Sequence, residues 1–599
     1  MLAKAKYGRV AEVPYIFEER KRGGSKAGLK EYFTSLNYFW NLSRQTGQIR
    51  KATKNFFLGL LDLVTCALAL FCAGLFFWSY GGVNNLSVFG AGLFFLLFLR
   101  WLAQRQAFFS SPLMRAAQWV CGLSAGKLLS GAVIILFLIF SALSIARNLS
   151  LSSTAYDLGI FSQAVWSTAQ GDWFFSSLKG NINLLGDHFE PILALLAPLY
   201  KLYPSANTLL IAQALLLSSA LIPLYLISRK VLAQRCLVLA FLASFMLSRP
   251  LRGVAYSDFH PECFILPFLF WAYYFLLARK ALFFYLALFI ALLCKEDAVL
   301  AIAAFGIYIF FADRKRWQGA LLVIFAAAAW AVITKIVIPR FNPAGGYDYM
   351  SRLPFGKGYG ENLAFVAGHP LQFIGFLARP EKIEYALKLF GPLAFLPLLS
   401  PAHYVLFGPL ILRNVIPAAN YSGWYDITSH YTAGIIPFVY IAAIYGAAWI
   451  IRKVKYKNTA HWLSAVILFF ALMFYGKTDG YKLKRFVNTI REKKTLERLA
   501  FLKVIPAQAS VAANSYYVPH LSCRKYIYEF NPQSKTTYIT EYVVVDLDLL
   551  GYLSSECVLD IRRYLHDMRS RGYRQIFASP DQRLLILYNP DFEKKLMDG

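Results

Sequence analysis

Charge is scarce in this chain of 599 residues. Asp, Glu, Lys and Arg make up 16%, where soluble globular domains carry about 25%. Acidic residues are the rarer sign, 33 against 62 basic ones. Hydrophobic residues reach 58% and mean hydropathy is +0.46. This balance excludes a soluble enzyme, a disordered tail and a disulfide-dense secreted module. The eight cysteines form no CxxC and no Cys/His quartet, so no zinc-ribbon chemistry is indicated. Six lie in or beside apolar runs, where a thiol acts as a small hydrophobe. Cys523 and Cys557 lie in the polar C-terminal part and would pair only in an oxidising compartment. That part also lacks GxGxxG and GKS/T, so no nucleotide site is expected. The first apolar run starts only near Phe56, which speaks against a cleavable signal peptide.

What the chain does have is a series of long apolar segments. A bilayer core needs roughly 20 apolar residues per helix. Spans are expected near 56–79, 86–102, 128–147, 207–228, 237–248, 262–278, 281–294, 298–312, 318–338, 386–399, 404–418, 432–451 and 460–475, about thirteen in all. The fold class is therefore a polytopic α-helical membrane protein. Segments 237–248, 281–294 and 298–312 are short, and short or broken helices often flank a site at membrane depth.

The net charge of +29 is placed at span ends rather than along a nucleic-acid face. Residues 1–55 hold 12 Lys/Arg and 4 Asp/Glu. Further basic clusters are Arg229/Lys230/Arg235, Arg279/Lys280, Arg314/Lys315/Arg316 and Arg452/Lys453/Lys455/Lys457. The positive-inside rule makes these cytoplasmic, with anionic lipid rather than nucleic acid as their partner. The expected location is the plasma membrane, with the N-terminus cytoplasmic. Four parts follow: a basic segment 1–55, a two-span hairpin and linker 56–127, a transmembrane core 128–475 with an outer loop 148–206, and a tail 476–599. Segment 189–203 would upset the alternation of basic clusters if it crossed, so it is read as re-entrant or surface-lying. In the tail, 509–515, 525–530, 542–546, 575–579 and 584–588 read as strands, and 488–503 and 555–571 as helices. A small extracytoplasmic α/β domain is expected there.

Against this apolar background the ionisable groups near span ends stand out, because charge close to hydrocarbon is expensive. They are Tyr156-Asp157-Leu158, Asp187-His188-Phe189-Glu190, Asp258-Phe259-His260-Pro261-Glu262 with Arg249 and Arg252 upstream, Lys295-Glu296-Asp297, and Asp426 with His430. The alternation places all of them on the outer side. Two of the groups set a His between carboxylates, a composition that suits either a divalent metal (Asp187, His188, Asp258, His260) or a general base and its orienter. Asp157 is a candidate base toward an acceptor hydroxyl, and it also suits the N-cap of a helix over 158–170. Arg and Lys side chains suit a phosphate leaving group. The plain alternatives are packing histidines at 188 and 260 and a self-neutralised helix break at 295–297.

These motifs, taken in order, resemble a prokaryotic family known only as a predicted membrane protein, a domain of unknown function, over roughly residues 128–590. A more distant resemblance is to GT-C glycosyltransferases, which use polyprenyl-phosphate sugars and carry an acidic residue in the first large outer loop. Asp157 matches that location. The chain departs from the pattern in having a single Asp-Leu and two leading spans. The resemblance implies a GT-C-like core and a lipid-linked sugar as co-substrate. The acceptor would be a glycan, lipid or protein. Asp157 would be the catalytic base. Asp187, His188, Glu190, Asp258, His260 and Glu262 would line the sugar or metal subsite. Arg249, Arg252 and Lys295, with Glu296, Asp297 and His430, would form the substrate and phosphate side. The competing readings are a transporter or flippase of a lipid-linked or anionic substrate, and a non-catalytic scaffold.

Overall fold

The computed structural model describes residues 124–343, 347, 353–356, 358–417, 423–454, 456, 458–475, 484, 487–530, 539–548 and 565–592. The expected spans 56–79 and 86–102, and Cys557, lie outside the described residues. Five described helices are long and apolar enough to cross a membrane: α1 (Ala125–Leu149), α2 (Ala206–Val231), α3 (Arg235–Tyr256), α7 (Arg316–Phe341) and α9 (Ile436–Lys453). Between and after them lie shorter apolar helices, α4 (Pro261–Leu277), α5 (Ala281–Leu292), α6 (Ala298–Phe311), α8 (Tyr404–Val415) and α10 (Thr459–Met473).

The direction of each helix follows from its charged ends. α2 runs toward Arg229 and Lys230, and α3 starts at Arg235 and runs toward Asp258. α4 starts at Glu262 and runs toward Arg279, α5 returns toward Lys295, and α6 departs from Asp297 toward Arg314. Basic clusters and acidic motifs thus sit at opposite ends of the same helices. Segment Pro191–Leu202 is a short apolar helix. His188, just before it, meets Glu296, and Asn207, just after it, receives a hydrogen bond from Asn148 at the end of α1. Both of its ends therefore stay at the acidic end.

The segment expected to span at 386–399 is broken. Helix Pro380–Phe390 gives way to two short turns, Gly391–Leu393 and Leu396–Leu399, with Ala394 and Phe395 between them at positive φ. Pro392 and Pro397 explain the break: each lacks an N–H and clashes with the preceding helical turn. Hydrophobicity alone does not register this.

After α10 the helix Lys493–Phe501 leads into a five-stranded sheet. A two-residue hairpin, β1 (Phe175–Ser176) and β2 (Ile182–Asn183), precedes it in the chain. The sheet contains β3 (Val511–Ala513), β4 (Ile527–Glu529), β5 (Tyr542–Asp546), β6 (Arg574–Ala578) and β7 (Leu584–Tyr588) in the order β4-β3-β5-β7-β6. β3 pairs parallel with β4 and β5, while β7 pairs antiparallel with β5 and β6. Alternate residues divide between two cores, as strand geometry requires. Val511, Ala513, Val544 and Ile586 face one, and Ala512, Val543, Val545 and Leu587 face the other. The first core also contains Leu151 and Ala155, from the chain just after α1. The sheet domain is thereby seated on the loop that carries Asp157. Cys523 carries a free thiol.

Candidate functional site

Two Xaa-Pro steps shape the site. A residue before proline is pushed out of the helical region, and proline suits the first helical position. His260, before Pro261, is accordingly extended (φ −139°, ψ 129°) and caps α4. Its backbone N–H donates to Gln213 Oε1 at 3.0 Å. Glu190 stands in the same relation to Pro191.

His260 Nδ1 donates to the backbone carbonyl of Asp258 at 2.8 Å, which fixes the ring and turns Nε2 toward Asp157 Oδ1, 3.2 Å away. Asp157 keeps 47% of its side chain accessible. Its backbone lies at φ 68° and ψ −94°, a sparsely populated region for any residue with a Cβ. Burial opposes ionisation of Asp157, but His260, His430 and Arg147 outweigh it and hold the carboxyl well below its usual range. Burial likewise disfavours the His260 cation, and Asp157 more than offsets it, so the ring's pKa is raised. His430 stacks on His260 with centroids 3.5 Å apart. Burial and the neighbouring His260 charge push His430 well below the usual histidine range. Of the two stacked rings, the one facing Asp157 is therefore the more basic.

The loop bearing His430 is placed by backbone contact. A Cβ on Gly253 would lie 2.4 Å from Thr428 Cα, so the loop runs directly along the second half of α3. Asp426 turns this loop by accepting from the Thr428 N–H and hydroxyl, both at 2.9 Å.

Behind the histidines lies a buried ionic core. His430 Nε2 is 3.9 Å from Glu262. Glu262 pairs with Lys295 at 2.7 Å and Arg413 at 3.0 Å. Arg413 also reaches Asp297 at 3.3 Å. Glu296 pairs with His188 at 2.7 Å and accepts from the Phe189 N–H at 2.9 Å and the Tyr347 hydroxyl at 3.1 Å. Lys295-Glu296-Asp297 thus sends three consecutive side chains to three different elements. Glu190 is buried beside this core, its Oε2 without a hydrogen bond, and burial raises its pKa to about 7.

The expected residues therefore divide. Asp157, His260, Glu262, Lys295, Glu296, Asp297, His430 and His188 form one connected network. Asp258 flanks it, held by Arg147 at 3.4 Å and by the Thr154 N–H at 3.2 Å. Asp187 turns away to Lys179 at 2.7 Å. Arg252 donates to the Tyr475 carbonyl and covers the Tyr475 ring, and Arg249 is half-buried at the start of helix Arg249–Tyr256. Asp187, His188, Asp258 and His260 each face a different partner, and among the described residues no three His, Cys, Asp or Glu side chains form a metal-binding group. That arrangement does not fit the divalent ion considered from the sequence. The sequence reading missed Arg147 and Arg413. Arg147 looks like an interfacial anchor in the last turn of a span. Arg413 carried a usable signal, a guanidinium inside the apolar run 404–418.

The family model described as Predicted membrane protein (DUF2079) matches residues 147–575, which include every residue of this network. The chain belongs to the DUF2079 family. This DUF2079 protein is thus a membrane protein by family as well as by its helices. No curated protein matches it. Among solved structures, it is similar to ArnT from Cupriavidus metallidurans bound to undecaprenyl phosphate, at 11% identity and a TM-score of 0.43, over 76% of this chain and 97% of that chain. The apo form of the same protein gives 10% identity and a TM-score of 0.44, over 78% and 98%.

Proposed function

We propose that the protein transfers a sugar from a polyprenyl-phosphate donor to an acceptor on the extracytoplasmic face of the plasma membrane, with Asp157 as general base. The observation that carries the reading is the Asp157 carboxylate. It is half-exposed and strained, and the His260 ring holds it at the helix ends opposite the basic clusters. The GT-C resemblance, an acidic residue in the first large outer loop at Asp157, supplies the donor class. The acceptor oxygen forms a bond to the anomeric carbon as the bond from that carbon to the phosphate oxygen breaks. The bond electrons leave with the phosphate, and the hydroxyl proton passes to Asp157. At rest the His260 contact makes Asp157 a weak base. An acceptor hydroxyl that displaces this contact restores its basicity at the moment of transfer. Arg147, which also pairs with Asp258, and His260 are the cations that act on Asp157, and with Arg249 they are the groups proposed to face the departing phosphate. Lys295 and Arg252 are already engaged with Glu262 and Tyr475.

The test is turnover of synthetic polyprenyl-phosphate sugars by purified protein in liposomes, read as release of polyprenyl phosphate. Wild type is expected to release it and Asp157→Asn to release none. Movement of labelled donor across the bilayer without bond cleavage would overturn the transferase reading in favour of a flippase.

A further inference from the structure

The strained turn at Asp157 needs an external restraint, and the sheet domain supplies contacts on both sides of it. Two residues before Asp157, the Ala155 N–H donates to Ser515 Oγ at 3.2 Å. Two residues after it, Gly159 lies so close to Val518 that an added Cβ would meet Val518 Cγ1 at 2.9 Å. Ser515 and Val518 sit just beyond the carboxyl end of β3. Farther out, His520 Nε2 donates to the Asn148 carbonyl at 3.1 Å and the Ser522 hydroxyl donates to Ser162 Oγ at 2.6 Å. The segment after β3 therefore grips residues 148, 155, 159 and 162, with Asp157 in the middle. A residue at φ 68°, ψ −94° persists only where its surroundings over-determine it. Inside the turn, Gly159 N–H to Thr154 O at 3.2 Å and Thr154 Oγ1 to Tyr156 O at 2.9 Å are short-range bonds that also suit a relaxed turn.

We propose that the C-terminal sheet domain is a positioning element, in which Ser515 and Val518 hold the 155–159 turn so that Asp157 stays against His260. Neither residue touches a reacting atom. The proposal rests on the Asp157–His260 contact alone and holds whatever reaction Asp157 carries.

The experiment uses full-length protein labelled with nitrogen-15 at histidine, in detergent, and follows the His260 ring signals against pH. No turnover is needed, so failure of the transferase reading leaves the result intact. Asp157→Asn sets the scale. Loss of an opposite charge at this range moves the His260 titration down by about one to three pH units. Ser515→Ala and Val518→Ala are expected to move it most of that way, and Ser515→Thr, which keeps the hydroxyl, to restore it. Gly159→Ala, which wedges the turn away from Val518, is expected to act like Val518→Ala. If the alanine variants keep the native His260 signal while Asp157→Asn shifts it, the proposal is overturned. If Asp157→Asn itself shifts nothing, the contact is absent and the proposal falls with it. Should Val518→Ala fail to fold, the Ser515 pair decides, because removing one hydroxyl leaves the packing intact.

Discussion

The turn at Asp157 and the hub at Lys295-Glu296-Asp297 are built from the same kinds of residue and behave in opposite ways. At the hub, Lys295 and Glu296 are almost wholly enclosed. Each side chain has an opposite charge within 3.3 Å. At the turn, the carboxylate is half-exposed, has one imidazole partner at 3.2 Å and sits on a strained backbone. A fully paired, buried charge has no capacity left for a substrate. A singly paired, accessible one does. The hub is a buried brace behind the histidines, and the turn leaves one carboxylate half-accessible on a strained backbone.

Substitutions can separate the two. Asp157→Asn has the largest expected effect on activity. It should cost about 10²–10⁴-fold in transfer rate while leaving the thermal midpoint close to wild type, since Asn also tolerates positive φ. A parallel fall in rate and midpoint would place Asp157 with the brace instead. Lys295→Met should do the reverse. Removing one partner of a buried ion pair costs roughly 3–5 kcal/mol, read as a large drop in the midpoint in detergent. A midpoint unchanged from wild type would show that Arg413 alone satisfies Glu262.

Glu190 gives an effect with a defined pH sign. Its pKa is raised from 4.5 to about 7, so the folded state binds its proton more tightly than the unfolded chain. Stability is full below the unfolded value and falls as pH rises through the folded one. The loss amounts to roughly 3 kcal/mol. Glu190→Gln should therefore melt higher than wild type at about pH 8, with the advantage shrinking toward pH 4.5. An advantage independent of pH would mean that Glu190 does not titrate there. The smallest effect belongs to Arg279→Ala at the opposite end of the helices. Its pair with Asp313 at 2.7 Å is exposed and should contribute less than about 1 kcal/mol.

Much of this contrast was written in the sequence, and part of it was not. The charged motifs were visible because charge is rare among apolar spans, and alternating basic clusters matched the ends at which the acidic motifs gather. The tail strands were visible as Val- and Ile-rich runs such as 542–546. Partner choice was not visible. Asp187-His188-Phe189-Glu190 reads as one ligand group, yet Asp187 pairs with Lys179, His188 with Glu296, and Glu190 stays buried with one oxygen lacking a hydrogen bond. Those choices depend on which helix ends meet in space, and single-sequence patterning carries no such information. Nor did it reveal that residues after β3 would hold residues some 360 positions earlier.

The backbone contact at Gly253 has a consequence of another kind. The 426–430 loop meets the helix through its main chain at Ile427 and Thr428, while Asp426 turns it and the buried Ile427 side chain anchors it. A single methyl group at position 253 would press on Thr428 and displace His430, two residues on, from its stack with His260. Intolerance to change would then collect at a residue with no side chain, one that touches neither histidine.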